Sequence, residues 1–186
     1  KFAEQDFPGN DDALQNDLLH PNRILYEDDV FGYDYYARIR QQTAWASYSL
    51  NTSKWEFALS GAIKNHVYWR DGQTQNGKFP DNSYGASEKN SFLLPSGKGL
   101  IRYKVDGRNY ITLSGALSEM APTFRNAYVS PRTRDNVVDG LEKEILNLAE
   151  IRYDLNAPYL KISLSGYYVS SKNGIESTSF YHDDLR

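Results

Sequence analysis

Apolar and polar positions alternate with a period of two along several long stretches of this chain. The clearest is Trp55 to Arg70, WEFALSGAIKNHVYWR. Its odd positions are Trp55, Phe57, Leu59, Gly61, Ile63, Asn65, Val67 and Trp69; its even positions are Glu56, Ala58, Ser60, Ala62, Lys64, His66, Tyr68 and Arg70. Alternate side chains of a strand point to opposite faces. One face is therefore apolar with a tryptophan at each end, and the other is small, polar and charged. The same alternation predicts five more strands: Tyr36 to Leu50, Ser91 to Val105, Asn109 to Ala121, Ile145 to Leu155 and Tyr159 to Ser171. Pro95 weakens its strand or marks a bulge, because proline brings no N–H to a ladder.

The connections sort by length. Asn51-Thr52-Ser53-Lys54, Asp106-Gly107-Arg108 and Asn156-Ala157-Pro158 are short turns. Asp71 to Asn90 and Pro122 to Glu144 are long and rich in turn formers. Lys1 to Tyr35 shows no sustained period and reads as a long polar loop, with one short helical turn near Ala13 to Leu19. Its acids suit calcium, but their spacing does not make an EF-hand, and a solvated acidic loop is the simpler reading.

Two settings produce such faces. A soluble sandwich puts the apolar face inside; a membrane barrel turns it to lipid, lines a wet lumen with the polar face and carries aromatic girdles. Trp55 to Trp69 extends about 46 Å at roughly 3.3 Å per residue, and a tilt near 45° projects that to roughly 33 Å, which matches a hydrocarbon core with its interfaces. Loop order decides further. Short, long, short, long, short puts all short turns at one end of an up-and-down meander, as in transmembrane barrels, whereas sandwiches favour Greek-key crossings. The predicted fold is an all-β antiparallel meander forming part of a large transmembrane β-barrel, with the long loops and the opening segment outside the cell. Arg38, Arg40, Lys64, Lys98, Arg102, Lys104, Glu150, Arg152, Asp154 and Lys161 then face the lumen, because a cation facing lipid at the midplane costs about 2–4 kcal/mol.

Composition narrows the classes. The 186 residues suffice for one domain, and a net charge of −3 leaves no basic footprint for nucleic acid. No apolar run is long enough for a spanning helix. Cysteine is absent, so thiolate metal sites and disulfides are excluded. The 15 tyrosines and 3 tryptophans suit interfacial girdles or a sugar-binding surface. The chain begins at Lys1 without a signal peptide, as expected of a processed secreted protein or a piece of a longer chain.

A family resemblance lies in the second long loop and its flanks. Met120-Ala121-Pro122-Thr123-Phe124 resembles the strand-end box of TonB-dependent outer-membrane receptors, an aromatic and Arg followed by Ala-Pro-Ser/Thr. Gly140-Leu141-Glu142-Lys143-Glu144 and then Glu150-Ile151-Arg152-Tyr153 resemble their Leu-Lys-Pro-Glu box and the Glu-x-Gly-Tyr on the next strand, with Lys143 in place of Pro, Glu142 of Lys and Arg152 of Gly. Phe124 to Asp135 and Ser179 to Asp184 look like a subgroup version of the family. The resemblance covers about Tyr36 to Arg186. It implies energised uptake of a scarce ligand (siderophore, haem-like, glycan or peptide) across the outer membrane of a Gram-negative cell. Implied partners are TonB, acting through a plug domain, outer-membrane lipid and, in some arrangements of the family, a surface lipoprotein. The plug, the TonB box and the closing aromatic strand have no counterpart in this sequence, so the expectation is an internal, six-stranded portion of a barrel of about 22 strands.

Residues 1–35 are then an external loop and 36–186 the barrel portion. Ligand capture falls to the loops, whose candidates are Trp69, Tyr84, Phe124, Arg125, Tyr128, Arg132, Arg134, Tyr181 and His182. Aromatic faces suit sugars or haem-like rings, and arginines suit siderophore carboxylates. Each has a commoner alternative role as an anchor between loops. Glu144, Glu150 and Tyr153 read as barrel architecture. No cofactor, metal or catalytic residue is expected, and the chain is not read as an enzyme. Only His20, His66 and His182 are available, and His66, near Ser60 and Lys64, has no acid to orient it. The rival reading is a soluble, aromatic-rich β-sandwich that binds carbohydrate and buries its apolar face against a second sheet.

Overall fold

The computed structural model describes residues 4–5 and 11–175. Its body is one antiparallel sheet of six long strands. These are β3 (Tyr35–Asn51), β4 (Trp55–Gly72), β6 (Asn90–Lys104), β7 (Asn109–Met120), β8 (Glu144–Ala157) and β9 (Leu160–Lys172), each paired with the next in that order. A two-residue strand β5 (Gly85–Ala86) extends the end of β4, and β1 (Glu4–Gln5) pairs with β2 (Ile24–Leu25) in a separate ribbon. All six long strands fall where the alternation predicts, with ends shifted by two residues at most. The sheet is open: among the described residues β3 and β9 each have a neighbour on one side only.

Local chemistry fixes the short turns. The Asp106 carboxylate accepts the N–H groups of Arg108 (2.7 Å) and Asn109 (2.8 Å), closing the β6–β7 hairpin. Those donors hold its carboxyl below the ordinary aspartate range. Thr52 closes the β3–β4 turn, its hydroxyl accepting the Trp55 N–H at 3.0 Å. Pro95 makes no bulge. The β4–β6 register runs unbroken through Ile63↔Pro95, but the β6–β7 ladder stops at Ser96↔Ser118. Proline thus ends one ladder and leaves the other intact.

Directly opposed residues in a ladder share a face, so the registers define two surfaces. Leu50, Phe57, Ile101, Leu113 and Ile151 lie in one row across five strands, next to the row Trp55, Tyr103, Ile111 and Tyr153. Leu59, Leu93, Leu117, Ile162, Leu164 and Tyr168 belong to the same surface. This apolar face is bare: Leu59 is 65% exposed, Leu113 55% and Leu164 71%. Trp55 and Tyr103 pack at 4.7 Å between ring centres at its turn-end border.

The register corrects one expectation. Arg38 lies opposite Trp69 and Arg40 opposite Val67, so both sit on the apolar face and not with Lys64, Lys98, Arg102 and Arg152. Trp45, opposite Ala62, goes to the polar face instead. Arg38 and Arg40 lie near the loop end of β3, where Arg38 pairs with Asp71 (3.0 Å) and covers the Tyr36 ring.

The polar face carries the charged network. Glu56 meets Arg102 at 3.0 Å and Lys104 at 3.1 Å, and Arg102 also donates to the buried Thr112. Arg152 lies between Asp154 (3.4 Å) and Glu150 (4.0 Å). At the long-loop end this face is covered. Tyr68, Ala127 and Tyr128 are buried there, packed by Phe92, Phe124, Val137 and Leu141. The compact core of the molecule therefore lies on the polar face.

Residues 11–34 are more ordered than a plain polar loop. They dock on the 73–89 loop: the Leu18 N–H donates to the Gln75 carbonyl (2.7 Å), the Gly77 N–H to that of Gln15 (2.9 Å), and the Gln75 N–H to the Asp17 carboxylate (3.1 Å). The expected helical turn is a 3-10 turn at Asp12–Leu14, capped by Asp11. Burial raises the Asp17 carboxyl, but His20 (2.8 Å) and the N–H groups of Gln75 and Leu19 outweigh it and leave the group below its ordinary value.

Candidate functional site

The long loops converge where β4 ends, and Arg70 fastens them. This side chain is buried, with Nε donating to the Pro131 carbonyl (2.7 Å), Nη1 to the Ser83 carbonyl (2.5 Å), and the guanidinium 5.2 Å over the Tyr35 ring. One residue thus holds loops 73–89 and 121–143 to the sheet. Behind Pro122, Thr123 caps a single helical turn, Phe124–Ala127, with its hydroxyl accepting the Asn126 N–H. That turn points the chain back over the polar face. Tyr128 then inserts, and its hydroxyl receives the Arg70 backbone N–H (3.1 Å) and the Asn90 amide (3.2 Å) and contacts Ser87 Oγ (3.0 Å).

Between this turn and the start of β3 lies a cleft of about 650 Å³. Tyr35, Phe124 and Tyr128 give it aromatic walls, and Arg125, Arg132, Ser130 and Pro131 also line it. The rings support one another: Phe124 stacks on Tyr35 at 6.2 Å and meets Tyr128 at 4.9 Å. The volume is in the range of small-molecule sites.

Of the nine sequence candidates, Phe124, Arg125, Tyr128 and Arg132 come together here. Tyr128 is an anchor, since it is buried and its hydroxyl is occupied. Arg134 lies over Phe79 at 4.5 Å and Arg132 over Tyr33 at 5.3 Å, both joining loop to loop. Trp69 is not in the group: it sits on the apolar face under Lys89. Tyr84 is exposed on the 73–89 loop and is not among the cleft residues. Tyr181 and His182 lie outside the described residues. Sequence reasoning missed Tyr33, Tyr35 and Arg70. The dense aromatic run from Phe31 to Tyr36 was the available signal for the first two.

Among the described residues the ion pairs use Arg38, Arg102, Lys104, Lys143, Arg152 and His20. None uses Arg70, Arg125, Arg132 or Arg134. Asp135 and Asp71 act on Arg70 only through space. Four guanidinium groups at the loop end thus rest on rings, carbonyls or water.

Other chemistry is sparse. His66 contacts Gln41 at 2.7 Å and Tyr68 edge-on, with neither a serine nor an acid bonded to it. Among the described residues no three His, Asp or Glu side chains converge on a metal position. The sequence boxes flank the cleft loop: Met120 ends β7, Glu144 opens β8 and holds Ser171 Oγ (2.6 Å), and Glu150 reaches Ser114 Oγ (3.4 Å) on the polar face. No protein-family model, curated protein or solved structure matches the chain.

Proposed function

We propose that this chain is part of the wall of an outer-membrane β-barrel transporter of the TonB-dependent type, and that it takes up a scarce ligand without making or breaking covalent bonds. The carrying observation is the inverted burial. Six strands leave their apolar face bare, while the loops and the aromatic core lie on the polar face. In water, so much exposed aliphatic and aromatic surface is unfavourable at about 25 cal/mol per Å². Against hydrocarbon it is at home. The polar face then lines the lumen, and the 121–143 loop folds inward over it, where a ligand would pass.

Further support comes from the loop sorting, the borders marked by Trp55 and Tyr103 at one end and Tyr36 and Trp69 at the other, and the placement of the boxes at strand ends. The three tryptophans provide the test. Trp55 and Trp69 lie on the apolar face and Trp45 on the polar face. In single-tryptophan variants placed in bilayers of acyl-brominated lipid, emission from Trp55 and Trp69 is quenched and emission from Trp45 persists. Equal quenching of all three, or none in any, removes the membrane reading. A protein that stays monomeric in detergent-free buffer returns the case to a soluble sandwich.

A further inference from the structure

We infer that the cleft at the loop end is a binding site for an anionic ligand, a carboxylate carried on a flat apolar body. This deepens the transporter reading and rests on it for the ligand's route, though not for its chemistry. Three observations converge. The walls are aromatic on one side, with Phe124 against both Tyr35 and Tyr128. Two arginines, Arg125 and Arg132, line the cleft, and no acid does. Neither arginine belongs to any ion pair among the described residues, in a chain whose net charge is −3.

The environment beneath strengthens the case. Arg70, under the floor, is held by the carbonyls of Ser83 and Pro131 and by the Tyr35 ring, so its positive charge is not cancelled by a bonded carboxylate. Arg134 keeps a buried Nε without a hydrogen-bond partner. Arg125 and Arg132 thus line an open volume of about 650 Å³ with no carboxylate among its walls, and Asp135 and Asp71 act on Arg70 only through space. Guanidinium forks suit carboxylates in a bidentate manner, and the ring faces take the flat remainder. A neutral sugar would use the rings and form no ion pair with either arginine.

The test uses the complete protein in detergent micelles and titrates naphthalene-2-carboxylate and its neutral amide by calorimetry. The acid is expected to bind at least about tenfold more tightly than the amide, a difference that each tenfold step measures directly. In the double variant Arg125→Gln/Arg132→Gln that preference disappears, while affinity for the amide is unchanged, which shows that the aromatic walls still stand. Acid and amide binding equally, or a double variant that keeps its preference for the acid, overturns the inference. The transporter reading fails separately: charge-selective binding by a protein with no lipid quenching of Trp55 and Trp69 keeps the site and removes the membrane, and the converse removes only the site.

Discussion

Ile63 lies midway between Trp55 and Trp69 on the bare face, opposite Ala44 on one side and Pro95 on the other. If that face meets hydrocarbon, as proposed, Ile63→Arg puts a charge as deep as the wall allows. At roughly 3.3 Å per residue and a tilt near 45°, either tryptophan is more than about 13 Å away along the membrane normal. An arginine side chain cannot reach that far to water. The expected cost is about 2–4 kcal/mol. The matched control is Ala62→Arg, one residue away, which faces Trp45 and Ser96 on the polar side and should stay within about 1 kcal/mol of the parent. Unfolding in urea from lipid vesicles, followed by tryptophan emission, measures both. With a slope of about 1–3 kcal/mol per molar urea, the Ile63 variant should lose roughly 0.7–4 M in midpoint. If the two variants unfold together, or Ala62→Arg is the worse, the apolar face does not meet hydrocarbon.

Three further outcomes test the loop layer and the turns. Tyr128→Phe removes the acceptor of the Asn90 amide and one of the two acceptors of the Arg70 N–H, the other being Ser87 Oγ (2.9 Å), and should loosen the 121–143 loop by about 1 kcal/mol, seen as faster protease cutting there with the ladder's circular dichroism unchanged. Gly77→Ala places a methyl against the Asp12 and Gln15 carbonyl oxygens and should detach 11–19 from the 73–89 loop at a cost of about 1–3 kcal/mol, read as faster hydrogen exchange at the Leu18 N–H. Asp17 and Asp106 both titrate below the unfolded value of 3.8. Their stabilisation is complete above that pH and is lost as pH falls through the folded pKa values. The Arg108 amide shift should follow Asp106 with a midpoint under 3.8, and Asp106→Ala should abolish that titration.

Strand positions were legible because the period-two signal is local, and the six predicted segments needed no tertiary information. The facing of β3 was not. Both of its parities are mixed: Tyr36, Arg38, Arg40, Ala44, Tyr48 and Leu50 on one, Ile39, Gln41, Thr43, Trp45 and Ser47 on the other. Composition alone sends the arginines inward. The Thr52 turn fixes Asn51↔Glu56, and that register sends them to the apolar face. A single residue of register reverses a strand's faces. The site was half legible for a similar reason. Phe124, Arg125 and Arg132 stand close together in sequence, within a loop rich in rings and cations. Tyr35 and Arg70 stand at the ends of two strands, and only the hairpin between β3 and β4 brings them under that loop. Tyr128 was visible as an aromatic, but its role follows from burial, which no local pattern encodes.

Burial also bears on what adjoins this sheet. A sandwich covers its apolar face with a second layer and leaves its loops at the rims. Here Phe124, Ala127 and Tyr128 instead pack on Tyr68 and Phe92, whose neighbours along the strands are Lys64, His66 and Leu94 on the polar face. Loop 121–143 thus spends its apolar residues on the wetter surface, and within the described residues nothing is left to cover Leu59, Leu113 or Leu164. If hydrocarbon covers them, the outer edges of β3 and β9 cannot stay bare, because each unmet backbone group there costs several kcal/mol. Both edges then need strands of the same wall. Introduced cysteines at Ser47 on β3 and Ser165 on β9, in a chain with no native cysteine, should therefore be slow to react with a bilayer-soluble maleimide in the assembled protein. In such a wall their side chains, on the polar face, point away from lipid, whereas cysteine at Leu164 on the apolar face should react fast.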